Sequence, residues 1–225
     1  MSATAQKPTI VLIPGAWHLP SPTFDSLIAI LTKSGYPTLP ITLPSVGSPA
    51  IFADDVATIR TSITAIIEEQ ARDVVVLMHS YGAAPGTKAL NGLAKTVREK
   101  EGKKGGVIGL VYVAAMIPMV GESVHEFRTA VRNQETDLAS GIRPVNPSAA
   151  IMHENGTFSV KEREDQFYND LDDEVAMELA KSLKSHSLAV FNTKLTYAAY
   201  DDIPAVYLVC LKDRAVSYKS QQRMA

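Results

Sequence analysis

Ser80 and Asp213 are the residues whose types and surroundings could support nucleophilic catalysis. A serine hydroxyl is a weak nucleophile at neutral pH and becomes reactive when a base takes its proton. Residues 78–82 read Met-His-Ser-Tyr-Gly and overlap the end of the apolar run 74–78. This layout is typical of a nucleophile elbow, in which a sharp turn from strand to helix exposes a serine hydroxyl. The usual pattern is Gly-x-Ser-x-Gly, so Met78 stands where a glycine is expected and predicts a more crowded turn.

Both residues also have plainer interpretations. Ser80 could cap the helix that follows it, and Asp213 could accept hydrogen bonds from its own backbone in a turn. The position of Ser80, between a buried strand and a helix-compatible segment, favours the catalytic interpretation. Asp213 comes just after the apolar run 206–211.

Short apolar runs alternate with amphipathic segments over the first half of the chain. The runs predict strands at residues 9–13, 38–43, 74–78, 107–115 and 206–211. Helical spacing of apolar residues predicts helices at 23–34, 51–70 and 83–98. Strands and helices in this order predict an α/β fold with a mostly parallel sheet and helices on both faces.

The pattern changes after Pro118. No strand of comparable strength is predicted between residues 120 and 200, where polar helical segments alternate with loops. We therefore expect one domain over residues 1–225, with a core at 8–118 and 201–225. A helical cap, at about 119–200, is inserted after the fourth strand.

The ordered motifs resemble the α/β-hydrolase superfamily, and more narrowly its branch of methylesterases and hydroxynitrile lyases. The matching segments are residues 11–18 (Val-Leu-Ile-Pro-Gly-Ala-Trp-His), 43–45, 79–82, 106–114 and 203–213. The resemblance implies an α/β-hydrolase fold with Ser80 as nucleophile and Asp213 as the acid of a triad. It also implies an oxyanion hole made by the backbone amides of Ala16 and Tyr81.

The third triad member is missing from its expected place. In this superfamily the histidine follows the acid after one further strand, yet residues 214–225 contain none. The chain's histidines are His18, His79, His125, His153 and His186. Three explanations stay open: a C-terminally truncated hydrolase, a natural short form that only binds, or another histidine such as His186 acting as base. We favour them in that order, because a missing strand would also leave a sheet edge unpaired.

The predicted pocket contains few charges. Its candidate lining residues are Trp17, His18, Met116 and His186, although such residues often belong to a cap core. The predicted function is a serine hydrolase that cleaves a small ester-, lactone- or thioester-like substrate through an acyl-enzyme. Two alternatives are a hydroxynitrile-lyase-type C–C lyase, with Lys194 or Lys212 as its cation, and a non-catalytic ligand-binding relative.

Composition narrows the classes of partner. The net charge is −2 and the one basic cluster is Lys103-Lys104, so nucleic-acid binding is not expected. No apolar run reaches the ~20 residues that span a bilayer, and no nucleotide-binding fingerprint or metal-ligand spacing occurs. We expect a cytoplasmic protein with a small-molecule substrate, no cofactor, no metal and no membrane partner, and with Cys210 as a buried core thiol. The oligomeric state is not predicted.

Overall fold

The computed structural model describes residues 6–134 and 150–225. Its larger sheet has five parallel strands, namely β1 Thr9–Ile13, β2 Thr38–Pro40, β3 Val74–His79, β4 Val107–Val113 and β8 Ala205–Leu208. Their order across the sheet is β2-β1-β3-β4-β8. The inner strands are rich in Val, Ile and Leu because helices cover a parallel sheet on its faces. The predicted α/β fold with a mostly parallel sheet is confirmed.

In the described residues, eight helices lie between these strands along the chain, and a ninth follows the last strand. They are α1 Pro20–Thr23, α2 Asp25–Lys33, α3 Phe52–Glu69, α4 Ala83–Ala89, α5 Lys95–Lys100, α6 Val124–Gln134, α7 Arg163–Phe167, α8 Asp173–Ser182 and α9 Tyr218–Met224. In α3, Ile59, Ile63, Ile66 and Ile67 are buried, at the spacing of one helix face. Within the described ranges, no helix is long and apolar enough to cross a membrane.

The single helix predicted at 83–98 is wrong, because the structure has two helices there, α4 and α5. Gly92 lies between them with a φ of 75°. This left-handed conformation ends a helix at little cost for glycine but not for other residues.

The region predicted as a helical cap contains helices α6, α7 and α8, but also a small antiparallel sheet. Its strands are β5 Ala150–Met152, β6 Thr157–Val160 and β7 His186–Ser187, in the order β5-β6-β7. Strands this short carry too few residues for a period of two to be recognised in the sequence. Residues 135–149 of the predicted cap lie outside the described residues, and the division into core and cap stays a prediction.

Candidate active site

Ser80 lies at a sharp turn at the carboxyl end of β3. Its φ is 51°, and a 3₁₀ turn at Ser80–Gly82 leads directly into α4. A non-glycine residue in the left-handed region costs on the order of 1–3 kcal/mol and is held there by its surroundings. The carbonyl oxygen of Ser80 accepts a hydrogen bond from the amide of Met116 at 2.9 Å. The turn has the geometry predicted for a nucleophile elbow.

Two glycines allow the elbow to approach the loop that follows β1. A Cβ atom at Gly82 would lie 2.2 Å from the carbonyl oxygen of Pro14. One at Gly15 would lie 2.9 Å from the Cβ of Ser80. Both distances are shorter than carbon atoms tolerate, so only glycine fits at either position without movement of the backbone.

Met78 occupies the position where the elbow pattern has glycine, and a glycine elsewhere makes room for it. The Met78 side chain is fully buried. A Cβ at Gly86, one turn into α4, would lie 2.6 Å from the sulfur of Met78. The crowding predicted from the sequence is therefore relieved by Gly86.

The loop after β1 places Ala16, Trp17 and His18 beside the elbow. Trp17 has a φ of 67°, and its indole Nε1 donates to the carbonyl oxygen of Phe158 at 3.2 Å. Nδ1 of His18 lies 2.7 Å from the carbonyl oxygen of Ala16. These side-chain contacts hold the loop after β1 in place. The resemblance predicts that the backbone amide of Ala16 in this loop is one of the two oxyanion donors.

A cavity of about 990 Å³ opens at the elbow. Of the predicted site residues, Ala16, Trp17, His18, Ser80 and Asp213 line it. Five described non-glycine residues have positive φ, and three of them line this cavity, namely Trp17, Ser80 and Ala114. Backbone strain concentrated in this way is typical of functional sites.

Three predicted site residues lie outside this lining. Met116 and His186 are buried in the core, so the expectation that they face the pocket is not met at this cavity. The side chain of Tyr81 is fully buried as well, and its predicted role concerns only its backbone amide. In residues 6–134 and 150–225, no group of three or more His, Cys, Asp or Glu could hold a metal ion.

His18 and His79 are the histidines at the cavity, and their rings pack edge to face at a centroid distance of 5.7 Å. Burial lowers the pKa of His79 to about 3, and the neighbouring His18 adds to this effect. Burial also lowers the pKa of His18, partly opposed by its bond to the Ala16 carbonyl. Both rings are therefore neutral near pH 7. Nδ1 of His79 is buried and has no hydrogen-bond partner among the described residues.

Asp213 lies in the turn after β8 and faces the same cavity. Its Oδ1 accepts hydrogen bonds from the amides of Ala215 at 2.7 Å and Val216 at 2.8 Å. Burial raises the pKa of this carboxyl, while the two amides lower it and nearby Asp170 raises it further. The turn interpretation and a place at the site are thus compatible.

Gln221 holds the loop that carries Asp213, and no pattern in the sequence distinguishes it. This fully buried side chain on α9 accepts from the amide of Cys210 at 2.8 Å. Its Nε2 donates to the carbonyl oxygens of Cys210 at 3.0 Å and Val216 at 2.7 Å. These bonds tie together both ends of the Asp213 loop.

Cys210 is not the buried core thiol that the sequence suggested. It is half-buried and lines the cavity close to Asp213. Burial raises the pKa of its thiol, and the negative charges of Asp213 and Asp170 raise it further. The apolar run that predicted a core position ends in the loop after β8, where side chains are only partly covered.

His186 lies in an aromatic cluster behind the elbow. Its ring packs against Tyr81 at 4.9 Å, Phe191 at 5.4 Å and Trp17 at 5.9 Å between centroids. Neither ring nitrogen has a hydrogen-bond partner within the described part of the chain. Burial, followed by the charge of His18, lowers the pKa of His186 to about 3.

We expect His186→Phe to weaken the acid sensitivity of the fold. Near pH 7.5 the His186 ring is neutral in both the folded and the unfolded protein. Below pH ~6.5 the ring becomes protonated in the unfolded chain but stays neutral in the folded one. Stability therefore falls by about 1.4 kcal/mol per pH unit for this group between pH ~6.5 and its folded pKa. The free energy of unfolding, measured with urea at pH 7.5 and at pH 5, should differ between the two pH values by about 2 kcal/mol less in the variant than in the wild type. An unchanged difference between the two pH values would contradict this assignment.

The chain is similar to known hydrolases over almost its whole length. The chain is 34% identical to the probable hydrolase R7 of Phoma sp. over 220 residues, which is 96% of this chain and 81% of that protein. It is 29% identical to the alpha/beta hydrolase nvfD of Aspergillus novofumigatus, covering 97% of this chain and 83% of the relative.

Solved structures show the same fold at lower sequence identity. A crystal structure of a polyneuridine aldehyde esterase variant superposes with a TM-score of 0.69 at 17% identity, covering 97% of this chain and 86% of that one. The sequence model of the alpha/beta hydrolase family matches residues 10–225. From the parallel sheet, the elbow and this match, we conclude that the chain belongs to the alpha/beta hydrolase family.

Proposed function

We propose that this protein is a serine hydrolase that cleaves a small ester-, lactone- or thioester-like substrate through an acyl-enzyme. One observation carries the proposal: Ser80 has a φ of 51° at the carboxyl end of β3 and lines a cavity of about 990 Å³. Such a turn directs the serine hydroxyl towards a bound substrate. Membership of a hydrolase family adds support.

In the proposed reaction, Oγ of Ser80 attacks the substrate carbonyl carbon as a base takes its proton. The carbonyl oxygen gains negative charge, and the backbone amides of Ala16 and Tyr81 donate to it. The tetrahedral intermediate then releases the protonated alcohol or thiol and leaves an acyl group on Ser80. Water, deprotonated by the same base, cleaves this ester and restores the serine. The resemblance gives Asp213 the role of stabilising that base in its charged form.

Two imidazoles line the cavity together with Ser80, those of His18 and His79, and we propose that one of them is the base. The contact between Nδ1 of His18 and the Ala16 carbonyl assigns the proton to Nδ1, so Nε2 is the acceptor. Burial keeps both rings neutral near pH 7. A general base works best when its pKa lies near the working pH, and the pKa of about 3 makes His79 a weak base, so His18 is the better candidate.

The lining of the cavity supports an uncharged, largely apolar substrate. Its aromatic and aliphatic residues include Trp17, Phe167, Tyr168, Leu171, Val175, Leu179, Leu211 and Val216. Its charged residues are Asp25, Asp170, Asp213 and Lys212. Three carboxyl groups against one ammonium group disfavour an anionic ligand, because like charges repel.

The test compares p-nitrophenyl esters that carry neutral acyl chains with one that carries a terminal carboxylate. We expect hydrolysis of the neutral esters, with kcat/KM at least about 10-fold higher than for the anionic ester, because the carboxylate meets like charges. A protein that cleaves none of them but binds a neutral ester in calorimetry would instead be the ligand-binding relative.

A C–C lyase is the second candidate, and one observation favours it. Such an enzyme needs a cation near the leaving cyanide, and Lys212 lines the cavity. Lys194, the other predicted cation, is 3.4 Å from Glu126 in an ion pair outside this lining. Release of cyanide from a cyanohydrin without ester cleavage would favour the lyase.

A further inference from the structure

Asp55 is a fully buried carboxyl group that the proposed reaction does not use. It lies in the first turns of α3 and is 0% exposed. Its Oδ1 accepts from the amide of Ser45 at 3.0 Å. Its Oδ2 accepts from the Ser45 hydroxyl at 2.6 Å and from the Tyr81 hydroxyl at 2.7 Å. Asp55 therefore joins the loop after β2 to the elbow.

Tyr81 is held at both of its ends. Its backbone follows Ser80 in the elbow, and its side chain leads into the core, where the ring packs on His186 and Phe191. The hydroxyl at the far end of the ring donates to Asp55. The ring is rigid, so fixing the hydroxyl also restricts the backbone amide at the other end.

The same anchor reaches the small antiparallel sheet. The carbonyl oxygen of Ser45 accepts from the amide of Ser187 at 2.9 Å, and Val46 forms an isolated bridge with His186. Both partners belong to β7. Asp55 thus lies where helix α3, the loop after β2 and the elbow meet, and β7 is bonded to that loop.

Packing alone does not explain why residue 55 is an aspartate, because an apolar side chain could fill the same space. Burial raises the pKa of Asp55, and hydrogen bonds from Ser45 and Tyr81 oppose that rise. Burying such a group is unfavourable unless it is well bonded, and apolar residues of similar volume often stabilise a core as well or better. What apolar residues cannot supply is a directed bond that fixes the orientation of Tyr81.

We propose that Asp55 is a positioning residue, which sets the backbone amide of Tyr81 for the oxyanion by holding the Tyr81 hydroxyl and Ser45 together. The inference rests on the proposed hydrolase function. The strained conformation of Ser80 also supports the inference. Such a conformation persists only where neighbouring contacts hold it, and the bond from Tyr81 to Asp55 is one such contact.

The test replaces Tyr81 with phenylalanine, which keeps the backbone amide and the ring and removes only the hydroxyl. We expect kcat for a neutral p-nitrophenyl ester to fall about 10-fold while KM stays within about 2-fold, because oxyanion stabilisation acts in the transition state. The matched control is Tyr112→Phe. Tyr112 is equally buried and its hydroxyl is 2.9 Å from that of Thr87, so that variant should keep the wild-type kcat.

A second variant and a second readout complete the test. Asp55→Asn retains one acceptor oxygen, so its kcat should fall between those of wild type and Tyr81→Phe. Peptide-level hydrogen exchange over residues 79–86 should be faster in Tyr81→Phe than in Tyr112→Phe. Unchanged kcat and exchange in Tyr81→Phe, or an equal loss of kcat in Tyr112→Phe, would overturn the inference. A wild type that cleaves no ester would instead overturn the proposed function, and hydrogen exchange would still decide whether the anchor holds the elbow.

Discussion

Replacing Ser80 with alanine is expected to lower kcat for ester hydrolysis by about 10⁴-fold or more, because the variant loses the attacking oxygen. The fold should be retained, since alanine is smaller than serine and Ser80 is only half-buried. Initial rates with a neutral p-nitrophenyl ester, measured on protein with a wild-type circular dichroism spectrum, give the comparison.

Ser62→Ala is the matched control for that change. Ser62 lies on α3, and its hydroxyl donates to the carbonyl oxygen of Thr58 at 2.9 Å. The same loss of a hydroxyl there should leave kcat within about 2-fold, because Ser62 is part-buried on α3 and does not line the cavity. If both variants keep the wild-type rate, hydrolysis does not depend on Ser80 and the acyl-enzyme mechanism is wrong.

Gly82→Ala is expected to have the largest effect on stability. The added Cβ would lie 2.2 Å from the Pro14 carbonyl oxygen and 2.8 Å from Cγ2 of Ile13. Neither the strand end nor the loop can move without disturbing the parallel sheet. We expect a loss of about 3 kcal/mol or more, which lowers Tm by roughly 6–12 °C in a chain of this size.

Gly109→Ala separates this clash from the general effect of replacing glycine. Gly109 is in β4, and a Cβ there would meet no atom closer than 3.9 Å. Its stability should change by less than about 1 kcal/mol. Equal melting temperatures for Gly82→Ala and wild type would show that the elbow is not packed against the loop after β1.

The sequence predicts the central sheet and the position of the elbow because both depend on local patterns. Apolar runs define strands that helices cover, and the strand-to-helix transition at Ser80 places the turn. The plain interpretation of Asp213 as a turn residue and its proposed catalytic place both have structural counterparts. Its role as the acid, like that of Ser80 as nucleophile, stays a proposal.

What the sequence does not predict depends on contacts between distant segments. Asp55 and Tyr81 are 26 residues apart and meet only after α3 packs on the sheet. Gln221 resembles any polar residue of a surface helix until its bonds to Cys210 and Val216 are known. Strand β6 of the small sheet likewise pairs with β7 across a long stretch of chain. The sequence pattern around Ser80 also does not show that Gly86, eight residues after Met78 in the chain, leaves space for the Met78 side chain.

Covalent labelling by a fluorophosphonate probe tests the central claim most directly. The probe phosphonylates a serine only where that hydroxyl is activated as a nucleophile. Intact mass followed by peptide mapping should show one adduct on wild-type protein, located at Ser80, and none on Ser80→Ala. Absence of an adduct on the wild type, or an adduct that persists in Ser80→Ala, would contradict the proposal that Ser80 is the nucleophile.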